Sequence, residues 1–152
     1  MKQSYNFGAC GKCRKDSLIV VKDRNKKTGP QFIGRNSNRK EILEVEVDHC
    51  LKITGKRCDY LLIDQDENAA HFIELKGSKI KDAFEQLENS ILVISNPEKN
   101  YISRKFDRKQ AYVVSTQVNP RLTTEIQRAQ KSFKKNYNTE LVVKNNKYER
   151  NF

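Results

Sequence analysis

Three residues in this chain have the types and spacing to do chemistry: Asp59, Glu74 and Lys76. Two carboxylates can hold a cation, and an amine can steady an anion beside them. Lys76 follows Glu74 by two, so in an extended strand both side chains leave on the same side. The run Ala70 to Lys76 carries apolar residues on both faces, as a central strand does. Two carboxylates and an ammonium in such a setting are costly to bury without a partner. A divalent cation is a natural partner for carboxylate oxygens.

The elements that must position these residues follow from the hydrophobic pattern. Ser17 to Asp23 reads as a strand, and Arg24 to Arg39, with Gly29, Pro30 and Gly34, as a loop. Glu44 to Ile53 alternates, Thr54 to Lys56 is a turn signal, and Arg57 to Asp64 is apolar, which predicts a hairpin. A second turn at Gln65 to Ala69 leads into the strand Ala70 to Lys76. Gly77 ends it and Ser78 is placed as an N-cap. The period then changes: Ile80, Ala83, Phe84, Leu87, Ile91 and Ile94 form one face of a helix of about four turns. Gln110 to Thr116 is the next strand. Asn119 and Pro120 cap a second helix with Leu122, Ile126, Ala129, Phe133 and Tyr137 as its apolar line, and Leu141 to Lys144 is a final strand. The order after residue 40 is β-β-β-α-β-α-β. It predicts an α/β fold, a central mixed sheet with helices covering its faces.

The segment Cys58 to Ile63 followed by Phe72-Ile73-Glu74-Leu75-Lys76-Gly77 resembles the PD-(D/E)XK nuclease superfamily, with its restriction-endonuclease-like fold. The match is a short motif, Asp, fourteen residues, then Glu-x-Lys, on a hairpin followed by a helix and a strand. Glu-x-Lys occurs once in the chain, on the expected strand. The resemblance spans about residues 40–145, and it implies phosphodiester hydrolysis, most readily as a DNA endonuclease. It further implies that Asp59, Glu74 and the backbone carbonyl of Leu75 hold Mg²⁺ or Mn²⁺, while Lys76 orients the attacking water. The chain departs from the family pattern in having Cys58 where a Pro often precedes the Asp. The family also often supplies a Glu from a helix ahead of the hairpin. Glu44 is the nearest equivalent, and Asp48 is an alternative outer carboxylate or an ordinary turn residue. Gln86, on the helix after the motif, is either a supporting polar residue or a surface amide. Lys79 and Lys81 at that helix start, and Arg104 and Lys105 in a basic loop, are positioned to meet phosphates or simply solvent.

Cysteines make a second constellation. Cys10 and Cys13 form a CxxC, and Cys50 and Cys58 would face each other across the predicted hairpin. Four thiolates from these positions could hold a structural Zn²⁺. The alternatives are reduced, partly buried thiols or a redox role. His49 and His71 read as strand-end residues rather than metal ligands.

Composition narrows the partner. The 152 residues suit a single domain, with 1–40 an N-terminal strand and loop extension and 41–145 the nuclease-like core. Thirty Lys and Arg against nineteen Asp and Glu leave a net charge of +11, which favours a polyanion such as nucleic acid, DNA before RNA. No apolar run approaches the ~20 residues of a membrane span. The first residues lack the apolar stretch of a secretory signal, so a cytoplasmic location is expected. A nuclease of this kind could act alone or as a homodimer, and a Holliday-junction resolvase is one version. The other class is a module that binds nucleic acid or a protein partner without cutting.

Overall fold

The computed structural model describes residues 4–23, 28–76 and 79–152. In chain order the strands are β1 (Gly11–Arg14), β2 (Leu18–Lys22), β3 (Gln31–Arg35), β4 (Ile42–Glu46), β5 (Tyr60–Asp64) and β6 (Ala69–Lys76). Helix α1 (Ile80–Ile94), β7 (Arg108–Ser115), helix α2 (Thr123–Tyr137), β8 (Thr139–Asn145) and β9 (Lys147–Asn151) follow. The protein is an α/β fold. Its main sheet runs β1-β4-β5-β6-β7-β8, antiparallel through β6 and parallel from β6 to β8. Two crossovers, each carrying a helix, link the three parallel strands, as parallel pairing requires.

Helix α1 buries the side chains its period predicted, Ile80, Ala83, Phe84, Leu87, Ile91 and Ile94, and adds Ser90. They meet Leu61, Ile63, Ala70, Phe72 and Val113 from one face of the sheet. Helix α2 joins the same layer through Phe133, whose ring lies edge-on to Phe84 at 6.4 Å. Both helices therefore cover one face, not two. The other face is closed by a small second sheet, β2-β3-β9. Ile19, Val21 and Phe32 from it pack on Ile42, Leu62, Ile73 and Tyr112. β3 lies inside the stretch expected to be a loop, and β1 and β9 were not anticipated. Each is short, and β9 (KYERN) is too polar to show a strand pattern until it pairs.

The expected hairpin around Thr54 is half formed. β4 pairs with β5 only as far as Glu46 opposite Tyr60. Val47–Leu51 then winds into a single π-helical turn ending at Lys52 in the left-handed region, φ 50°. Cys50 is thereby taken away from Cys58 and bonds to Cys10, with the two Cα atoms 5.5 Å apart. Cys13 is exposed on β1, and Cys58 is buried behind α1. The four-thiolate zinc site is therefore not assembled. Burial also pushes the Cys58 thiol well up, so it stays protonated and is a poor ligand. The Ser78 cap lies outside the described residues.

Candidate active site

Asp59 immediately precedes β5, and Glu74 lies on the neighbouring β6. The Asp59 backbone N–H donates to the Ile73 carbonyl at 3.2 Å, and its carbonyl accepts from Val47 N–H at 3.0 Å. Alternation puts Asp59 on the face of Leu61, and Glu74 and Lys76 on the face of Phe72, which is the α1 face for all three. The sheet brings the predicted trio together. Asp59 Oδ2 accepts from Leu75 N–H at 2.9 Å. A strand residue's N–H and C=O leave on the same side, so the Leu75 carbonyl is also directed toward Asp59. Lys76 Nζ lies 3.5 Å from Glu74 Oε2.

The electrostatics of the trio are unbalanced. Glu74 is only 2% exposed, and its Oε1 has no hydrogen-bond partner. Burial, reinforced by the Asp59 charge, pushes the Glu74 carboxyl up to about 9 against the pull of Lys76. Burial also raises Asp59, opposed by the Leu75 N–H. One amine does not satisfy a buried carboxylate and a half-buried one. A buried acceptor left open costs about 1–3 kcal/mol.

The segment leading into Asp59 is held by α1 rather than by a strand partner. Gln86 Nε2 donates to the Arg57 carbonyl at 3.2 Å, and Cys58 N–H donates to Ser90 Oγ at 2.8 Å. Ser90 in turn donates to the Gln86 carbonyl. Asn89 Nδ2 donates to the Thr54 carbonyl at 3.0 Å and to the Lys56 carbonyl at 2.6 Å, and Glu85 pairs with Lys56. Gln86, Asn89 and Ser90 are spaced by three and one, so they share a helix face. Gly55 sits in this turn at φ +89°, where only glycine is unstrained.

A cavity of about 410 Å³ opens beside the trio, lined by Asp48, Gly55, Lys56, Arg57, Lys76, Asp82 and Gln86. Asp59 and Glu74 are not part of its wall, and Lys76 connects them to it. Gln86 Oε1 is a second buried oxygen without a partner. The residues present fit a hard divalent cation: the donors are all oxygens, and two buried ones lack partners. Among the described residues, no group of three or more His, Cys, Asp or Glu side chains is placed to hold a metal. The two carboxylates would have to share a cation with backbone, amide or water oxygens.

No family model, curated protein or solved structure matches this chain.

Several expected site residues lie elsewhere. Glu44 sits opposite Leu62 on the face away from α1 and pairs with Arg14 at 3.0 Å. The outer carboxylate at the cavity is Asp48 instead, carried there by the π-helical turn and bound to Arg57 at 3.0 Å. Arg104 and Lys105 precede β7 at the end of the sheet opposite Lys76, and Arg104 pairs with Asp107. The basic loop therefore does not line the cavity. His71 faces the small sheet, its Nδ1 2.9 Å from the Tyr112 hydroxyl, and burial lowers it to about 3. Lys79 and Lys81 do lie next to the cavity, sharing a shallow depression with Asp82 and Leu122. Asp82, Asn89 and Ser90 were missed. Their signal was a polar strip at Asp82, Gln86, Asn89 and Ser90 beside the apolar line of α1.

Proposed function

We propose that this protein is a divalent-metal-dependent nuclease of PD-(D/E)XK type, hydrolysing phosphodiester bonds of DNA. One observation carries the reading: the buried Glu74 and the half-buried Asp59 stand beside a single amine, Lys76, which pairs with Glu74 and leaves its Oε1 unpartnered beside an open cavity. The order β4-β5-β6-α1-β7-α2-β8 supports a restriction-endonuclease-like core.

Asp59, Glu74 and the Leu75 carbonyl would hold Mg²⁺ or Mn²⁺. The chemistry supplied by such an ion is acidification of a bound water and neutralisation of charge on the phosphoryl oxygens. Lys76, a quarter exposed and facing the cavity, orients the nucleophile and steadies the developing negative charge. Asp59 is kept in register by the Leu75 N–H and by the α1 side chains that grip residues 54–58. Lys79 and Lys81 beside the cavity attract the phosphate backbone.

The test is a cleavage panel of single-stranded, duplex and branched DNA and of RNA, with Mg²⁺, Mn²⁺ or EDTA. Cleavage of DNA that needs the metal and drops by roughly 100-fold or more in Glu74→Gln and Lys76→Ala supports the reading. Equal cleavage by those variants, or cleavage in EDTA, overturns it. A preference for four-way junctions would identify the resolvase version.

A further inference from the structure

The positive charge of this protein is not evenly compensated over its surface. Many of its cations are engaged: Arg14 with Glu44, Lys40 with Asp64, Arg57 with Asp48, Arg108 with Glu67. Helix α2 differs. Its buried line is centred on Phe133, with Leu122, Ile126, Ala129 and Tyr137 partly covered around it. Thr124, Arg128, Lys131 and Lys135 are spaced by four, three and four, which places them on the crest opposite that line. All four are exposed. Among the described residues, Arg128, Lys131 and Lys135 make no ion pair, and the crest carries no carboxylate. From Arg128 to Lys135 the row is roughly 10 Å long at 1.5 Å per residue. Arg121, one turn before the helix and also exposed, extends it toward the depression that Leu122 shares with Lys79 and Lys81.

We propose that the crest of α2 is a docking ridge for the backbone of duplex nucleic acid, continuing the basic rim of the cavity. A rigid row of unpaired cations matches a regular row of phosphates, about one per 3.4 Å of axis on each strand. The favoured form is double-stranded for a second reason. Binders of single strands stack bases on exposed aromatic rings. Among the described residues every Phe and Tyr side chain is buried or partly buried and none lies on the crest of α2, so the ridge itself offers no stacking platform. The inference deepens the nuclease reading by naming its substrate form and rests on it for the link to cleavage.

The experiment measures binding of a fluorescent 30-base-pair duplex (~30 pairs, enough to pass the ridge at ~3.4 Å each) in EDTA across a salt series. Three proteins are compared with the parent: Lys131→Glu with Lys135→Glu on the ridge, Lys99→Glu with Lys105→Glu at the opposite end of the sheet, and Glu74→Gln. The ridge variant should bind roughly tenfold or more weakly, and its slope of log affinity against log salt should fall by about 1.8, at ~0.9 per lost phosphate contact. The opposite-end variant should bind like the parent, and a single strand of equal length should bind the parent more weakly than the duplex. Unchanged binding by the ridge variant, equal loss in both charge-swap variants, or equal binding of single strands overturns the proposal. Glu74→Gln separates the two ideas: it should keep duplex affinity, and if it still cuts DNA, the nuclease assignment fails while the ridge stands on the binding data.

Discussion

Glu74 is where the chemistry of this protein is most exposed to test. Its carboxyl is raised from 4.5 to about 9, so between those values the folded state holds a proton that the unfolded state has released. Its contribution to stability is therefore complete below about 4.5 and is lost as pH rises toward 9. In metal-free protein, Glu74→Gln should be more stable than the parent at pH 8, by roughly 1–3 kcal/mol, measured by urea unfolding. Adding Mg²⁺ should raise the melting temperature of the parent and not of the variant, because a ligand bound only to the folded state stabilises it. A variant less stable than the parent at pH 8, or one equally stabilised by Mg²⁺, would remove the basis for this carboxylate as a strained cation ligand. Ser90 is a positioning residue. Ser90→Ala removes the acceptor for the buried Cys58 N–H and should cost about 1–3 kcal/mol. It should also weaken Mn²⁺ binding, read by calorimetry, because Asp59 is the next residue along.

At the scale of elements, two connections hold the site's surroundings in place. The Cys10–Cys50 disulfide ties the N-terminal segment to the π-helical turn that carries Asp48. It closes a loop of 40 residues, so its reduction should cost about 3–4 kcal/mol on the chain-entropy account. Melting with and without dithiothreitol checks this, and a Cys10→Ser variant insensitive to the reductant is the control. A reducing cytoplasm would favour the open form. The second connection is β9 on β3. Gly34 lies under the Phe152 ring, where an added Cβ would overlap the ring. Gly34→Ala should displace the C-terminus and destabilise by about 1–3 kcal/mol. Its unfolding should show this without loss of Mg²⁺-induced stabilisation, since the small sheet covers the face away from the site.

The whole molecule combines these terms into a pH profile. His71 is buried neutral between the sheets, lowered from 6.5 to about 3. Between those values the unfolded state binds the extra proton, so stability rises with pH there. Glu74 acts with the opposite sign from 4.5 to about 9. From about 4.5 to 6.5 the two slopes offset, and above 6.5 only Glu74 remains. Metal-free protein should therefore lose stability from pH 6.5 to 9, and excess Mg²⁺ should flatten that limb. The net charge of +11 adds self-repulsion that salt relieves, so added salt should stabilise the fold while weakening any polyanion complex.

The sequence by itself determined the elements whose pattern is local. The six apolar positions of α1 repeat at helical spacing, and every one of them is buried. Glu74 and Lys76 share a face because side chains alternate along any strand. Asp59 meets them because β5 and β6 are joined by a four-residue turn (Gln65–Asn68), a short-range event. Tertiary structure decided what depends on distant partners. β9 has no apolar pattern and exists through its pairing with β3, more than a hundred residues earlier. Glu44 and Asp48 look alike in the sequence, yet the π-helical turn sends Asp48 to the cavity and leaves Glu44 on the far face. Cys50 left Cys58 for Cys10 by the same turn. Among the described residues the cations on the crest of α2 stand without an ion pair because the fold brings no carboxylate from another element to them, and no local spacing encodes the absence of a distant neighbour.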